Sequence, residues 1–596
     1  MTRVTQGSIV SLLVLLPLSS ALRLPNVIAN NMVLQRKDSS GSALTSARIW
    51  GWANATRVLT AIVSGEQAVS TTVSSNGTWS LDLPPMPAST DHTITITESV
   101  SMDQIVLVNI SFGDVYLCSG QSNMQFSTND AFNATLEIAD SARYANLRLY
   151  TIALTAADTP QTDGKSATPY QWAIAGPAAF VPAGGAAFSY FSATCYFFGR
   201  DLYLALNEEI PIGLVASDWG GQKVEAFSSP DAMADTTCGG TVKGMSPSGA
   251  AMAARVQRAK AAEGLIYTPL ELESVPIAQR PGGPVPNPST SQLWFGQIYP
   301  FLPMRMTGAT WYQGEANAGD PPSYACRFPA MIADWRKKFD LPNLSFFFVQ
   351  LAGFTSNYAL IREAQMAALA LPNVGYAVAI DIGDPTSPEG NIHPRRKQEV
   401  GRRLSLATRK IQYKESPLVS TGPTYLNYTI SVDETTKIGT IIVKFDPAVS
   451  NSLHFSGTAA CVACCAISPL EVSVGGTITT GVWVRTTLPI INQAAYAISA
   501  TFNVTSQLMQ GGVGGVAVRY DWEGYPQCAL YNGVGGPDNH TGIAATPFLI
   551  APPSPPPPSW DVVYRQTLPF LWPAQTTLSL NAVRTQLLLY YIPRRS

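Results

Sequence analysis

The amino-acid sequence predicts an α/β protein in which a domain built on a parallel sheet is flanked by two β-sandwich domains. Five apolar segments between residues 111 and 415 alternate with helical stretches, as in a parallel sheet that is buried on both faces. On either side of this region polar and apolar residues alternate, which is typical of half-buried antiparallel strands. The 596 residues are 46% hydrophobic, which is enough for about three to five domains with full cores.

Residues 1–21 predict a secretory signal peptide. Arg3 precedes a short apolar core at residues 9–16, and Ser19, Ser20 and Ala21 supply small residues for cleavage. This core is too short to span a bilayer, and no later segment reaches the roughly 18 apolar residues of a transmembrane helix. We therefore expect a protein that is secreted or lumenal in the secretory or lysosomal pathway. Eight Asn-x-Ser/Thr sequons fit a glycoprotein: Asn54, Asn76, Asn109, Asn133, Asn343, Asn427, Asn503 and Asn539.

The remaining chain divides where the period of the pattern changes. Residues 22–110 predict the N-terminal β-sandwich domain, since threonine and isoleucine alternate from Thr93 to Thr97. Residues 111–415 predict the α/β domain, with strands at 115–118, 212–216, 308–312, 346–351 and 376–380. Its helices include one with Phe198, Leu202, Ala205 and Leu206 on a single face and one near 361–371. A Gly-, Ala- and Pro-rich insertion lies around 228–290.

After residue 415 the β alternation returns, so 416–550 predicts a C-terminal β-sandwich domain. Residues 551–558 are almost all proline and predict a stiff linker, and the tail up to residue 596 has no assignment.

A strand that runs into a glycine turn and a helix start places Ser122 where a nucleophile can be built. Residues 115–118 are continuously apolar, Gly120 permits a sharp reversal, and Ser122 then presents its own N–H at the positive end of a helix dipole. A serine hydrolase also needs a general base, and the chain has four histidines. His393 precedes Pro394 at the start of a predicted helix, whose positive end keeps the imidazole neutral.

Two further strand ends offer hydrogen-bond donors. The first is the Trp219-Gly220-Gly221 loop, with bare backbone N–H groups, and the second is the loop with the amide of Asn317. With the Ser122 N–H, Gly221 and Asn317 complete a three-donor oxyanion hole.

These blocks resemble the SGNH hydrolase superfamily and, within it, the sialate O-acetylesterases. The resemblance rests on G-Q-S-N-M, W-G-G, W-Y-Q-G-E-A-N and I-H-P-R-x-K-Q-E-V-G-x-R-L, and it spans about residues 25–550. It implies a three-layer SGNH-type domain without metal or cofactor, in which Ser122 is the nucleophile, His393 the base, and Gly221 and Asn317 oxyanion donors. We assign substrate contacts to six residues of these loops and a nearby helix: Gln121, Trp219, Gln313, Glu315, Arg362 and Gln365.

The chain departs from the wider superfamily at the orienting acid. Many relatives carry an aspartate three residues before the histidine, where this chain has Gly390. Asp384 is our candidate for orienting His393, with Asp381 as a weaker one. A dyad in which a backbone carbonyl holds the histidine is the alternative.

The sequence thus predicts a secreted serine esterase that removes acetyl groups from sugar hydroxyls. An acetylated sialic acid and an acetylated polysaccharide such as xylan both remain open as substrates. Two further hypotheses are a noncatalytic carbohydrate-binding protein and an esterase for longer acyl chains. A net charge of -2 gives no electrostatic footprint for nucleic acid, and oligomeric state is left open.

Eight cysteines in a secreted chain predict disulfides, but eight cysteines allow 105 pairings and the sequence selects none. The run Cys461, Cys464, Cys465 superficially suggests zinc, although no second ligand pair completes a tetrahedral set.

Overall fold

A computed structural model of the chain describes residues 22–37, 46–167, 171–181, 188–234, 238, 290–462, 464–474, 482–504, 516–534 and 542–550. The predicted signal peptide (1–21), most of the predicted insertion and the segment 551–596 lie outside the described residues. Across the part of the chain that is described, no helix is both long and apolar enough to cross a membrane.

The N-terminal segment is all-β, in two sheets among the described residues. Its strands are β1 (Val33–Gln35), β2 (Arg48–Trp52), β3 (Val58–Val63), β4 (Val69–Thr72), β5 (Thr78–Asp82), β6 (Ser89–Glu98) and β7 (Gln104–Gly120). β2 pairs with β5, while β4, β3, β6, β7 and β1 join in one sheet. The packing of the two sheets as a sandwich stays a prediction.

Strand β7 passes straight through the boundary predicted at residue 110. Its first half pairs antiparallel with β6, and its second half lies at the centre of the parallel sheet. One 17-residue strand therefore belongs to both segments.

The α/β region follows the predicted alternation of strands and helices. Its strands are β8 (Leu147–Thr151), β9 (Ala173–Ile174), β10 (Ile212–Asp218), β11 (Gly308–Tyr312), β12 (Ser345–Gln350) and β13 (Val374–Val378). The order is β13-β12-β11-β7-β10-β8-β9, with all neighbours parallel except β9. Gly120 pairs with both Asp218 and Tyr312, so three strands end at the same level and deliver their loops to one edge.

Helices cover both faces of this sheet. They are α1 (Ser122–Gln125), α2 (Ala134–Asp140), α3 (Ala193–Ala205), α4 (Pro230–Ala234), α5 (Pro321–Lys338), α6 (Ala359–Gln365) and α7 (Lys397–Ile411). α5 packs Trp335 against Phe346 and Phe328 against Phe348. Phe347 between them points to the opposite face, the side where α7 packs on β12 and β13. The helix predicted near 361–371 is α6 followed by a 3₁₀ turn, Met366–Ala370.

The C-terminal segment is antiparallel β. Its strands are β14 (Tyr425–Asp433), β15 (Ile438–Phe445), β16 (His454–Gly457), β17 (Leu470–Val474), β18 (Val482–Arg485), β19 (Ile490–Asn492), β20 (Ala497–Asn503), β21 (Val518–Tyr520), β22 (Cys528–Tyr531) and β23 (Phe548–Ile550). They form the sheets β14-β15-β20-β19, β18-β17-β21-β23 and β16-β22. A separate apolar cluster that includes Ile441, Leu470 and Phe502 lies within this segment, and the predicted sandwich remains a prediction.

All eight cysteines pair in four disulfides: Cys118–Cys195, Cys238–Cys326, Cys461–Cys464 and Cys465–Cys528. The first ties β7, just before the glycine turn, to helix α3. The zinc interpretation of the Cys461 run is excluded, because its three sulfurs are all committed to disulfides and offer no thiolate.

Candidate active site

Strand β7 ends in a turn that only glycine permits. Gly120 has φ +143°, and a Cβ there would lie 2.3 Å from the carbonyl oxygen of Tyr312 on β11. The Gln121 N–H donates to the same carbonyl at 3.0 Å, which ties the turn to the neighbouring strand. Ser122 follows as the first residue of α1, where the backbone N–H groups have no intrahelical acceptor.

The imidazole of His393 lies directly beside Ser122. Its Nε2 is 2.8 Å from Ser122 Oγ, and its Nδ1 is 2.6 Å from the backbone carbonyl oxygen of Glu389. A carbonyl oxygen only accepts, so Nδ1 carries the proton and the bare Nε2 accepts the serine hydroxyl hydrogen. This is the tautomer that a general base requires.

The surroundings of His393 keep its imidazole neutral. Burial lowers its pKa from 6.5 to about 4; the hydrogen bond to Glu389 acts in the opposite direction, and the charge of Lys397 adds to the lowering. Phe188 meets the imidazole edge-on, with 5.2 Å between ring centres. A neutral base is thus available at mildly acidic as well as neutral pH.

The structure corrects the predicted role of Asp384. Its carboxylate accepts from Arg395, with Nε at 2.6 Å from one oxygen and Nη2 at 3.1 Å from the other. Burial raises the pKa of Asp384, but the hydrogen bonds and charge of Arg395 outweigh it, and the net shift is downward. The Nδ1 position of His393 is taken by the Glu389 carbonyl. A backbone carbonyl thus holds His393 in the structure, which is the geometry that the dyad alternative requires.

Asp381 does not orient the histidine either. It is fully buried in a bidentate pair with Arg403, at 2.6 and 2.8 Å, and it accepts from Tyr531 Oη at 3.0 Å. These contacts join α7 to the C-terminal segment.

The backbone donors at the site differ in availability. The Gly220 N–H donates to Gln125 Oε1 at 2.8 Å, whereas the N–H groups of Ser122 and Gly221 have no acceptor within the described ranges. The choice of Gly221 over Gly220 as a candidate oxyanion donor is therefore consistent with the geometry.

The Asn317 amide is fixed in one orientation. Its Oδ1 accepts from the Val224 N–H at 3.0 Å and from Gln313 Nε2 at 2.8 Å, and its Nδ2 donates to Glu225 Oε2 at 2.8 Å. These partners assign the oxygen and the nitrogen unambiguously. The second hydrogen on Nδ2 has no acceptor among the residues described here, so it can serve a ligand.

Two of the six predicted substrate contacts are wrong. Arg362 and Gln365 are fully buried on α6. The Arg362 guanidinium donates to four backbone carbonyls, those of Leu351, Ala352, Glu523 and Gly524. Gln365 bonds to the backbone of Gln313, Val349 and Leu351. Polar side chains on a helix beside the site are typical of substrate recognition. Arg362 and Gln365 instead bind backbone groups and connect neighbouring segments of the chain.

The other four differ in what they expose. Gln121 and Gln313 bond to each other at 3.2 Å and are buried, as is Glu315. Trp219, at 9% exposure, is the most accessible of the six. Of the predicted contacts, Trp219 is therefore the one best placed to meet a sugar.

Sequence reasoning missed a buried polar chain behind Ser122. Lys397 Nζ donates to Asn123 Oδ1 at 2.6 Å, and Asn123 Nδ2 donates to Glu315 Oε1 at 2.6 Å. A signal was present, since Lys397 shares the helical face of Val400 and Leu404, which the pattern predicts to be buried.

With this geometry in place, comparison with known proteins identifies the family. Residues 298–410 match the model of a family described as carbohydrate esterase, sialic acid-specific acetylesterase. Sialate O-acetylesterase of Rattus norvegicus is 35% identical over 436 residues, covering 67% of this chain and 75% of the relative. The chain belongs to the sialate O-acetylesterase family. It is therefore a hydrolase of acetyl esters, as the sequence predicts.

Further relatives agree. Sialate O-acetylesterase of Homo sapiens is 32% identical over 429 residues, covering 67% of this chain and 73% of the relative. A carbohydrate acetylesterase structure from Xanthomonas citri superposes with a TM-score of 0.63 at 24% identity, covering 89% of this chain and 99% of that one. This structural likeness confirms the α/β fold of the chain, with one large mixed sheet and additional small sheets.

Proposed function

We propose that the protein removes acetyl groups from sugar hydroxyls, with Ser122 as nucleophile and His393 as general base. The observation that carries this proposal is the 2.8 Å contact between Ser122 Oγ and His393 Nε2, in a histidine whose other nitrogen binds a carbonyl. Membership of the sialate O-acetylesterase family supports the acetyl group as the one transferred.

In the first half-reaction, Ser122 Oγ attacks the ester carbonyl carbon while its proton passes to His393 Nε2. The carbonyl π electrons move to oxygen and form a tetrahedral oxyanion. As the C–O bond to the sugar breaks, the imidazolium returns its proton to the sugar oxygen. The free sugar hydroxyl leaves, and the acetyl group stays on Ser122.

In the second half-reaction, His393 takes a proton from water, and the resulting hydroxide attacks the acetyl-enzyme. Collapse of the second tetrahedral intermediate breaks the bond to Ser122 Oγ, which regains the proton from Nε2. Acetate is released, and the balance requires only ester and water.

The oxyanion is stabilised by three donors that have no acceptor among the described residues: the N–H groups of Ser122 and Gly221 and one hydrogen of Asn317 Nδ2. Each such donor contributes on the order of a hundred- to a thousandfold in rate when it is preorganised.

The second part of the proposal concerns the identity of the acetylated sugar. The relatives are sialate O-acetylesterases by name, which supports an O-acetylated sialic acid. One observation favours a second candidate, a neutral acetylated polysaccharide such as xylan: the guanidinium of Arg362, a predicted substrate contact, is fully buried and bonded to backbone carbonyls, so it is not available to pair with a sugar carboxylate. Acetate release from an O-acetylated sialoside and from acetylated xylan, measured side by side, distinguishes the two.

We infer passage through the secretory pathway, supported by the four disulfides, which form in oxidising compartments. Recovery of the expressed protein from the culture medium, with eight oxidised cysteines by mass, is the expected result.

The test of the chemistry compares wild type, Ser122→Ala and a matched control. Ser122→Ala should keep fold and sugar affinity while kcat on acetyl esters falls at least about a thousandfold. The control is Ser119→Ala, three residues earlier, where a buried hydroxyl without a partner among the described residues is removed. It should turn over normally. Sugar binding without any acetate release by wild type would support the noncatalytic hypothesis, and equal rates on octanoyl and acetyl esters would support the esterase for longer acyl chains.

A further inference from the structure

One amide, that of Asn123, connects the Ser122 turn to two other loops of the candidate active site, those of Asn317 and His393. It follows Ser122 in sequence and is 1% exposed. Its Nδ2 donates to Glu315 Oε1 at 2.6 Å and to the Ile392 carbonyl at 2.9 Å. Glu315 lies on the 3₁₀ turn that carries Asn317, and Ile392 immediately precedes His393.

Lys397 supplies the only side-chain donor to the oxygen of this amide among the described residues and so helps to fix which way the amide faces. Its ammonium, fully buried, lies 2.6 Å from Asn123 Oδ1. An ammonium group has only donors, so it requires the amide oxygen. Both amide hydrogens must then point toward Glu315 and Ile392. The reverse orientation would place the amide oxygen against two acceptors and the amide hydrogens against the ammonium, so all three partners favour the observed orientation.

Packing alone does not explain why a lysine occupies position 397. It occupies the buried face of α7 that Val400 and Leu404 share, with its Nζ 4.7 Å from the Phe126 ring centre and 5.1 Å from that of Tyr312. A buried charge is generally less favourable to stability than an apolar side chain of similar size. Burial lowers the pKa of Lys397 to about 7, although the carboxylates of Glu315 and Asp384 oppose this.

We propose that Lys397 and Asn123 are positioning residues of the esterase: Lys397 orients the Asn123 amide, which holds the Ser122 turn and the His393 loop at hydrogen-bonding distance. The inference rests on the proposed function and extends it to two residues that touch neither substrate nor reacting atoms.

The charge of Lys397 also has a readable effect on His393. The groups that face this imidazole are Lys397 from α7, the Glu389 carbonyl from its own loop and the ring of Phe188. Charged groups farther out are the Asp384–Arg395 pair, Glu315, and Asp130 beside Glu389. Of these, Lys397 lowers the histidine pKa, so its replacement by a neutral residue should raise it.

The test uses Lys397→Met, Asn123→Ala, the double variant and Ser122→Ala in the full chain, with kcat, KM, melting temperature and pH profile measured for each. Lys397→Met keeps the stem that packs on Phe126 and Tyr312. It should lower kcat about ten- to a hundredfold with little change in KM, because small misplacements of reacting groups have effects of this size. Its melting temperature should match or exceed that of wild type, and the acid limb of kcat/KM should move to higher pH.

Asn123→Ala should lower kcat to a similar extent, and the double variant should be little worse than either single one, because the lysine acts through the amide. Lys410→Met, at an exposed position near the end of the same helix, is the matched control and should behave as wild type.

Wild-type kcat in either single variant, an unmoved acid limb in Lys397→Met, or fully additive losses in the double variant would overturn the inference. If Lys397→Met does not fold, a structural role for the lysine is indicated, which also counts against it. The Ser122→Ala variant distinguishes failure of the proposed function from failure of the positioning role. An active Ser122→Ala enzyme refutes the proposed function. An inactive Ser122→Ala enzyme, together with normal activity in the Lys397 and Asn123 variants, refutes only the positioning role.

Discussion

The residue that sets the chemistry of this site is a histidine held by a neutral acceptor. The Glu389 carbonyl fixes the Nδ1–H tautomer of His393 as an aspartate would. It carries no full charge, however, and stabilises the imidazolium less as the proton transfers. Burial adds to this by lowering the histidine pKa. In the proposed mechanism this base is in the correct form above a pH of about 4 but is intrinsically weak, so the geometry of the serine contact and the oxyanion donors would supply much of the rate.

The first prediction concerns the aspartate. Asp384→Asn should lower kcat less than about tenfold, since the carboxylate contacts Arg395 and not the imidazole. In a triad the same change lowers kcat on the order of ten-thousandfold. Steady-state kinetics decide between the two values, and a loss of the larger size would restore Asp384 as an orienting acid.

The pH dependence follows from the same residue. The base is active when neutral, that is above its pKa, and the folded pKa is lowered to about 4. Activity should therefore persist through pH 5 and fall only as pH approaches about 4. The kcat/KM profile of wild type, taken where circular dichroism shows the fold intact, measures this. An acid limb near pH 6.5 would mean that His393 is more solvated than its 6% exposure implies.

Asn317 gives the third prediction. Asn317→Ala should lower kcat about a hundredfold or more with little effect on KM, because the bond to the oxyanion strengthens mainly in the transition state. Kinetics on an acetyl ester separate the two constants. An effect confined to KM would make Asn317 a substrate-binding residue instead.

At the scale of elements, sequence patterns predict the positions of the strands, but they do not predict the side-chain hydrogen bonds that connect the loops. Strand β11 occupies residues 308–312 as predicted, because an apolar run buried on both faces has one stable placement in a parallel sheet. Arg362 and Asp384 were misread. Their partners are backbone carbonyls and an arginine brought together by loops, and no periodicity in the sequence records such contacts.

Lys397 shows a second limit of prediction from the sequence pattern. The cluster of basic residues around Lys397 predicts a solvated helix face, and for Lys397 this prediction is wrong, because its side chain is fully buried on the helical period of Val400 and Leu404. What the period cannot supply is the amide across the sheet edge that makes burial of the charge tolerable.

The contact between α3 and α7 yields the element-scale prediction. A Cβ on Gly401 would lie 2.5 Å from the Phe198 backbone nitrogen, so the two helices approach as closely as glycine allows. Gly401→Ala should force them apart and cost about 1–3 kcal/mol in the free energy of unfolding. Ser405→Ala, one turn further along α7, removes an oxygen that has no partner among the described residues and is the control. Equal denaturation midpoints for the two variants would contradict the close approach.

At the scale of the whole molecule, the C-terminal segment lies against the back of the candidate active site. Tyr525 Oη donates to the Asn391 carbonyl at 3.1 Å, two residues before His393. Tyr531 reaches Asp381, and Arg362 on α6 donates to the carbonyls of Glu523 and Gly524. The α/β region and the last sheets therefore share hydrogen bonds around the histidine loop.

Arg362 makes two of these hydrogen bonds and supports the last prediction. Burial lowers its pKa to about 10, so it remains charged at neutral pH, and its donors satisfy carbonyls from both segments. Arg362→Met keeps the apolar stem but removes the guanidinium donor from the carbonyls of Leu351, Ala352 and Glu523, at a cost of about 3 kcal/mol or more. The Gly524 carbonyl keeps the Phe354 N–H as a donor. The melting temperature should fall clearly, while KM for a sialoside stays unchanged in the fraction that is folded. Arg143→Met, with a side chain that is 68% exposed, is the control and should melt as wild type does. Normal stability together with a raised KM for anionic sugars would return Arg362 to the substrate site.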